Sequence, residues 1–503
     1  MPPDTVPRVE RLLRRLLASA VAYQAASVVS GLVALVTIPL YTGVLTPAEY
    51  GLAESLLVFI ILASILLRAG LGEAVVRMWF EEEDRVRREH LGRTVTATVL
   101  LASSAVALAG AAVAQPLSRA LLGVDDAALM RLALLGLWAF TNLEVVYALL
   151  RVEERRRTYL VASLANVALT VALTVALVVG LDGGARGYVA GNYVASALVL
   201  LSLWWVLRER LGLRPRRALL GPLLRFGAPT VPADLSLFAL NVIDRAYLLR
   251  LESASAAGLY AFAVKLATAV IIAVRAFQLA WPPLVHSLRD DAQAGRFYGA
   301  VTSWYVVVTG LVVAGLTLLG PWLVRLLSGD PAFLGAAPAL PWVALGWALY
   351  GLVALLTSIA GRAHATVRLL PAAAAGLVLN AALLVLLVGP FGVAGAGIAL
   401  CGAYAAMLIA LRLLTRRLFA VPFEGRRLSL AVGVLTGVSV TGALALPEEG
   451  LAGFIPRALA LGAIPVLLLA LRFPRPEELV AARRLAGRLA STARPPRRRS
   501  LPG

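Results

Sequence analysis

The sequence predicts an all-α polytopic membrane protein of about fourteen transmembrane helices. Both termini are placed inside, and the helices form two six-helix lobes in a parallel pseudo-twofold repeat, plus two C-terminal helices. Three observations predict this class. Apolar stretches of about 18–28 residues follow one another along nearly the whole chain, each long enough to cross hydrocarbon. Only 15% of the 503 residues are charged and the mean hydropathy is +0.84, whereas a soluble domain carries about 25% charged residues. Basic residues gather at every second turn, the pattern that orients helices in a membrane.

In chain order the expected spans are 17–44, 51–72, 91–115, 128–150, 159–181 and 187–207, then 226–249, 256–285, 298–324, 338–361, 369–389 and 393–414, and last 429–446 and 453–471. The domain reading follows from them: a cytoplasmic N-terminal segment (1–16), an N-lobe (17–210), a basic cytoplasmic linker (211–225), a C-lobe (226–414), the last two helices (428–471) and a basic tail (472–503). Arg8, Arg11, Arg14 and Arg15 precede a span too long for a signal peptide, so the first helix is read as an anchor.

The chain carries 47 basic and 28 acidic residues, for a net charge of +19. Such a balance in a soluble protein points to nucleic acid. Here the charge sits in short turns and a tail, which fits topology and anionic lipids at the cytoplasmic face, and no nucleic acid. Arg119, Arg131, Arg186, Arg250, Arg325 and Arg457 fall at the outer side, and Arg68, Arg245, Lys265 and Arg275 fall within spans; the other basic residues lie inside. Lys265 is the single lysine, and Cys401 is the single cysteine, which excludes an internal disulfide and a cysteine metal cluster.

Gly51-Leu52 is followed by Arg68-Ala69, and Gly258-Leu259 is followed at the same offset by Arg275-Ala276. Each set occupies the second helix of a six-helix group, which makes the repeat parallel. Ionisable residues inside a span are costly and mark function by default. Arg68, Lys265 and Arg275 are therefore candidate anion ligands, with Gln24 and Asn241 as polar neighbours. Arg68 also fits a snorkelling role, and Lys265 needs either a cavity or a partner carboxylate. Glu54 lies on the Arg68 line of its helix, fourteen residues earlier. Glu54, Glu144, Asp244 and Arg245 are candidates for ion coupling or gating; a structural ion pair is the plainer reading of Asp244 and Arg245. Pro39, Pro229 and Pro232 are candidate hinges, since proline frees a helix carbonyl.

Other chemistry lacks its signals. The chain has no phosphate-binding Walker loop and no HExxH, and its three histidines are scattered among inside turns. No metal site, organic cofactor or catalytic residue is expected. A proton or sodium ion stays open as the coupling species.

The stretch Ile38-Pro39-Leu40-Tyr41-Thr42, with Leu45-Thr46-Pro47-Ala48-Glu49-Tyr50-Gly51-Leu52, resembles the first hairpin of Wzx-type polysaccharide flippases. Ala69-Gly70-Leu71, Ile243-Asp244-Arg245, Ala257-Gly258-Leu259-Tyr260-Ala261 with Lys265-Leu266-Ala267, and Phe277-Gln278-Leu279-Ala280-Trp281-Pro282-Pro283 resemble the same family. Gly43 departs from it, standing where a basic residue is common. The resemblance implies the V-shaped fold of the multidrug/oligosaccharidyl-lipid/polysaccharide superfamily, in a bacterial plasma membrane. It also implies the substrate: an oligosaccharide on a polyprenyl diphosphate, carried to the outer leaflet for O-antigen, capsule or exopolysaccharide synthesis. A polysaccharide polymerase and glycosyltransferases are the protein partners it suggests. A cation-coupled multidrug exporter of the same superfamily is the alternative. A membrane glycosyltransferase or polymerase is disfavoured, because no acidic metal motif or large outer loop is present. A non-transporting scaffold acting through the basic tail is a third reading.

Overall fold

The computed structural model describes residues 31, 33–213, 215–287, 290–362, 369–416 and 422–478. Among these residues the regular elements are helices. Eleven are long and apolar enough to cross a membrane, or up to twelve if Ala254–Leu266 and Thr268–Arg275, bent by 41°, make one span. Most of the first expected span, including Gln24, lies outside the described residues; its end is α1 (Val33–Thr42). The first half continues with α2 (Pro47–Arg68), α3 (Leu71–Glu81), α4 (Arg85–Ala112), α5 (Ala114–Leu122), α6 (Ala127–Val152), α7 (Arg156–Val175) and α8 (Gly184–Val206). Then come α9 (Arg217–Gly227), α10 (Val231–Tyr247), α11 (Ala254–Leu266) and α12 (Thr268–Ser287). The rest is α13 (Asp291–Leu327), α14 (Leu340–Arg362), α15 (Leu369–Phe391), α16 (Val393–Thr415), α17 (Gly425–Ala445) and α18 (Gly450–Ala470).

Local chemistry sets where these helices begin. In α2 the Thr46 hydroxyl accepts from the Glu49 N–H at 3.2 Å, and the Glu49 carboxylate accepts from the Thr46 N–H at 3.0 Å. Two of the orphan donors at the helix start are thereby satisfied, and Pro47 occupies the first turn, where its missing N–H costs nothing. Ser253 caps α11 with its hydroxyl, accepting from the Ala256 N–H at 3.0 Å, without the reciprocal carboxylate that α2 has. Each cap stands five residues before its glycine, Gly51 or Gly258, so the repeat seen in the letters extends to the way both helices start.

The chain divides into two compact units. The first holds residues up to 289 and 320–420. Its core around α4, α6 and α8 is built on Leu91, Val95, Leu143, Val146, Leu150 and Leu200. A second cluster joins Leu240, Val353, Ala373, Ala403, Tyr404 and Met407, on α10, α14, α15 and α16. Pro229 lies in a 3₁₀ turn, Ala228–Thr230, and Pro232 in the first turn of α10. Both therefore sit at a helix entry, where proline is tolerated. Pro39 lies within α1, and its carbonyl accepts from the Gly43 N–H at 3.1 Å.

α2 ends on two left-handed residues, Ala69 (φ 47°) and Gly70 (φ 69°). There its chain meets the end of α9. A Cβ on Gly70 would fall well inside the carbonyl of Gly227, and a Cβ on Gly227 inside the carbonyl of Gly70. Gly70→Ala combines this clash with a left-handed backbone that costs an alanine about 1 kcal/mol. The expected result is a melting temperature several degrees lower in a thermal unfolding assay of the purified protein.

The second unit holds residues 290–319 and those from 421. Val307 and Ala314 of α13 meet Leu435 of α17 and Ile464 and Leu468 of α18. Arg457, taken from the sequence as an outer-side charge, is 1% exposed. Its guanidinium donates to the carbonyls of Ala443 (3.1 Å) and Leu446 (2.7 Å), closing the end of α17. This supplies donors that the last carbonyls of a helix otherwise lack. At the other end, Arg427 bridges Glu424 and Glu478, with its guanidinium 4.6 Å from the Phe473 ring centre.

Candidate functional site

The site is built within the first unit, where α2 crosses α11. Gly51 and Gly258 face each other at the crossing. A Cβ on Gly51 would collide with the carbonyl of Ala254, and a Cβ on Gly258 with the carbonyl of Pro47. Each carbonyl belongs to the residue four before the opposing glycine, so the contact is nearly self-symmetric. The Gly329 N–H donates to the Thr42 hydroxyl at 2.9 Å, and Arg250 donates to the Arg119 carbonyl at 2.8 Å, both at this end. Arg119 also bonds Asp125 and holds its carboxyl below the ordinary value.

One turn into α2 from Gly51 lies a buried charged layer. Glu54 is 4% exposed. Lys265, two turns into α11 from Gly258, donates to the Glu54 carboxylate and to the Tyr188 oxygen (2.9 Å). Tyr188 in turn donates to Glu54 at 2.7 Å. Arg245 of α10 approaches the same carboxylate at 3.8 Å, and the Glu54 backbone carbonyl at 3.5 Å. The Lys265 ammonium also stands 5.6 Å from the ring centres of both Tyr50 and Tyr188, within cation–π range. Asp244 accepts from the Tyr260 hydroxyl at 2.8 Å. A cavity of about 330 Å³ opens on Glu54, Asp244, Arg245 and Lys265, with Phe238 and Trp347 on its apolar wall. Its four ionisable groups balance, two acidic against two basic. Of the two expectations for Lys265, a cavity or a partner carboxylate, the structure shows both.

A second cavity, also about 330 Å³, lies at the far end of α2. Arg68, Arg77 and Arg151 line it, with Glu73, Glu144 and Phe80. Arg68 is loosely held: its Nη1 is 3.8 Å from Glu144, and its Nε donates to the Ser64 carbonyl at 3.4 Å. Arg77 pairs with Glu81 at 2.7 Å and lies 4.6 Å from the Phe226 ring centre.

The structure therefore places the sequence candidates in separate groups. Glu54, Lys265 and Arg245 come together, with Asp244 on the same cavity. Arg68 and Glu144 share the second cavity, so the common helix line of Glu54 and Arg68 leads to two different partners. Arg275 is exposed on α12. Gln24 and the side chain of Asn241 lie outside what is described. Three contributors were missed. Tyr188 gave no signal, because its partner Glu54 is 134 residues away. Arg77 was absorbed into the inside-turn charge. Arg151 was too, although it stands seven residues after Glu144, on the same helix face.

A family model described as "polysaccharide biosynthesis protein" matches residues 16–288, just over half of the chain. Comparison with curated protein sequences gives no match. Among solved structures the chain is similar to "Lipid II flippase MurJ, inward closed conformation", with a TM-score of 0.73 at 12% identity, covering 90% of this chain and 98% of that one. It is also similar to an inward-facing multidrug resistance MATE family transporter of the MOP superfamily, with a TM-score of 0.63 at 15% identity, covering 77% and 94%. A third similarity is to a MOP superfamily transporter from Pyrococcus furiosus, with a TM-score of 0.51 at 15% identity, covering 80% and 93%. At these identities the likeness establishes the fold. With its apolar spans, the protein is a multi-pass membrane protein of MOP fold, and the chain belongs to the polysaccharide biosynthesis protein family.

Proposed function

We propose that this protein is a flippase of the bacterial plasma membrane. It turns an oligosaccharide carried on a polyprenyl diphosphate from the inner to the outer leaflet. Family membership and fold support a membrane transporter or flippase. The substrate class is supported by the lipid named for the MurJ neighbour and by one observation in this chain. That observation is the Arg68, Arg77 and Arg151 cavity at one end of α2, with the tight glycine crossing at the other.

Bringing a diphosphate into hydrocarbon unaided would cost tens of kcal/mol. Guanidinium groups reduce that cost by holding phosphate oxygens bidentately while staying charged. An arriving diphosphate competes with Glu144 for Arg68, whose present pairing at 3.8 Å is too long for a hydrogen bond. Deeper in, the same anion competes with Glu54 for Lys265 and Arg245. Breaking those pairs unties α2 from α10 and α11, which lets the crossing open on the other side. Moving two negative charges outward across a potential of about 100 mV, inside negative, is downhill and releases roughly 4–5 kcal/mol. Proton or sodium exchange through Glu54, Glu144 or Asp244 is the competing drive. No other cofactor enters this scheme. Glycosyltransferases and a polymerase are the partners it calls for upstream and downstream.

The test is flipping of a lipid-diphosphate oligosaccharide in liposomes. Arg68→Ala and Arg151→Ala are expected to reduce the rate at least tenfold each, the worth of one charge-assisted hydrogen bond. Lys265→Ala and Arg275→Ala complete the set. Wild-type rates in the first three would remove these cations from the mechanism. A second reading, a cation-coupled multidrug exporter, is favoured by the buried carboxylates of Glu54 and Asp244. Proton-driven efflux of a cationic drug from the same liposomes, with no flipping, would establish it instead.

A further inference from the structure

A third cavity, of about 550 Å³, lies between the start of α4 and the chain that leaves α8. His90, Arg93 and Thr94 form one side. Trp204, Arg208 and Arg216 form the other, with Leu211–Leu213 between. Among the described residues, no carboxylate lines it. Glu89, nearby on α4, is already paired with Arg85 (3.5 Å) and Arg210 (3.1 Å). Glu209 contributes its backbone carbonyl to Arg93.

The site is held in a fixed shape. The Gly212 N–H donates to the Thr96 hydroxyl at 3.2 Å, and the Arg216 N–H donates to the Thr94 hydroxyl at 3.3 Å. The two threonines thus fasten the segment after α8 onto α4. The approach is close enough that a Cβ on Gly212 would stand 2.6 Å from the Cβ of Arg93. Within this frame the Nε of Arg93 is buried and has no hydrogen-bond partner. A buried guanidinium donor without a partner is rare in folded proteins, and three arginines without an acid repel one another.

We infer that this cavity binds the phosphate of an anionic phospholipid head group. A phosphate oxygen accepts from the guanidinium groups of Arg93, Arg208 and Arg216 that line the cavity and offsets part of their mutual repulsion, as guanidinium geometry allows. The apolar rim selects lipid over a soluble anion. Trp205 is 73% exposed and Leu213 66% exposed, one at the end of α8 and the other within the cavity lining. Exposed Trp and Leu beside arginines form the composition of a membrane interface, where acyl chains meet head groups. The site stands apart from the α2–α11 crossing and does not depend on the flippase reading.

The experiment uses the full chain in detergent, followed by thermal unfolding and native mass spectrometry. Phosphatidylglycerol, phosphatidylcholine and inorganic phosphate are the probes. Phosphatidylglycerol is expected to raise the melting temperature and to remain as one retained lipid, while phosphatidylcholine does neither. Arg93→Gln with Arg216→Gln removes both effects. Arg208→Gln, an exposed position that leaves the fold intact, weakens binding roughly tenfold, the value of one hydrogen bond to a charged group. Equal stabilisation of wild type and Arg208→Gln by phosphatidylglycerol would overturn the assignment. So would no retained lipid, or a full effect from inorganic phosphate to which phosphatidylglycerol adds nothing.

Discussion

Gly258→Val is expected to cut flipping at least tenfold and to lower the melting temperature of the protein. The side chain has nowhere to go: the carbonyl of Pro47 already fills the position its first carbon would take. Backbone cannot rotate aside as a side chain can, so α2 and α11 must separate. Overpacking of this kind costs about 1–3 kcal/mol even where side chains yield, and here none is available to yield. Gly51→Val is expected to act alike, since the contact is nearly symmetric. Gly433→Val on α17 serves as the control, because nothing beyond its own stretch of helix lies within 4 Å of the added carbon. Wild-type flipping and stability in both crossing variants would show that the two helices separate freely and that the crossing is no seal.

The second large effect concerns the charged layer. Glu54→Ala deprives Lys265 and Arg245 of the carboxylate they share, with Asp244 still on the same cavity. Removing one member of a buried pair costs about 3–5 kcal/mol, because the remaining charge stays desolvated. Thermal unfolding of the purified protein is expected to show the loss. The double variant Glu54→Gln with Lys265→Met removes both charges of the hydrogen-bonded pair and recovers part of the stability, Arg245 alone keeping its charge without Glu54. Flipping stays low in the double variant if an ammonium must meet phosphate there. A double variant that is stable and flips at the wild-type rate would reduce the layer to a structural tie.

Much of the frame was legible in the letters. Thr46-Pro47-x-Glu49 spells a helix start by local rules alone, and the structure uses each of those residues as the rules require. The matched glycines at 51 and 258 signalled a repeat, though nothing local says that they touch. Glu54 and Lys265 were each conspicuous as charges within apolar runs. Their union was not, because 211 residues separate them and one sequence carries no pairing information. Arg77 and Arg151 were not singled out, for a different reason. Counting charge by turn gives the side of the membrane on which an arginine lies, but not whether it faces water or a cavity. Arg457 shows the same limit: it was counted among outer charges, yet it is folded inward onto helix carbonyls.

The meeting of Gly70 with Gly227 has a mechanical consequence. Because the two backbones touch without side chains between them, α9 travels as part of the body that holds α2 and α3. Any swivel of α10 against that body must be taken up just past Gly227, over Ala228 to Val231. Pro229 and Pro232 bracket that stretch and supply no N–H to stiffen it. A torque shaft coupled at one end and jointed over a few residues would transmit rotation to α10, and lengthening the joint by one glycine would let it slip.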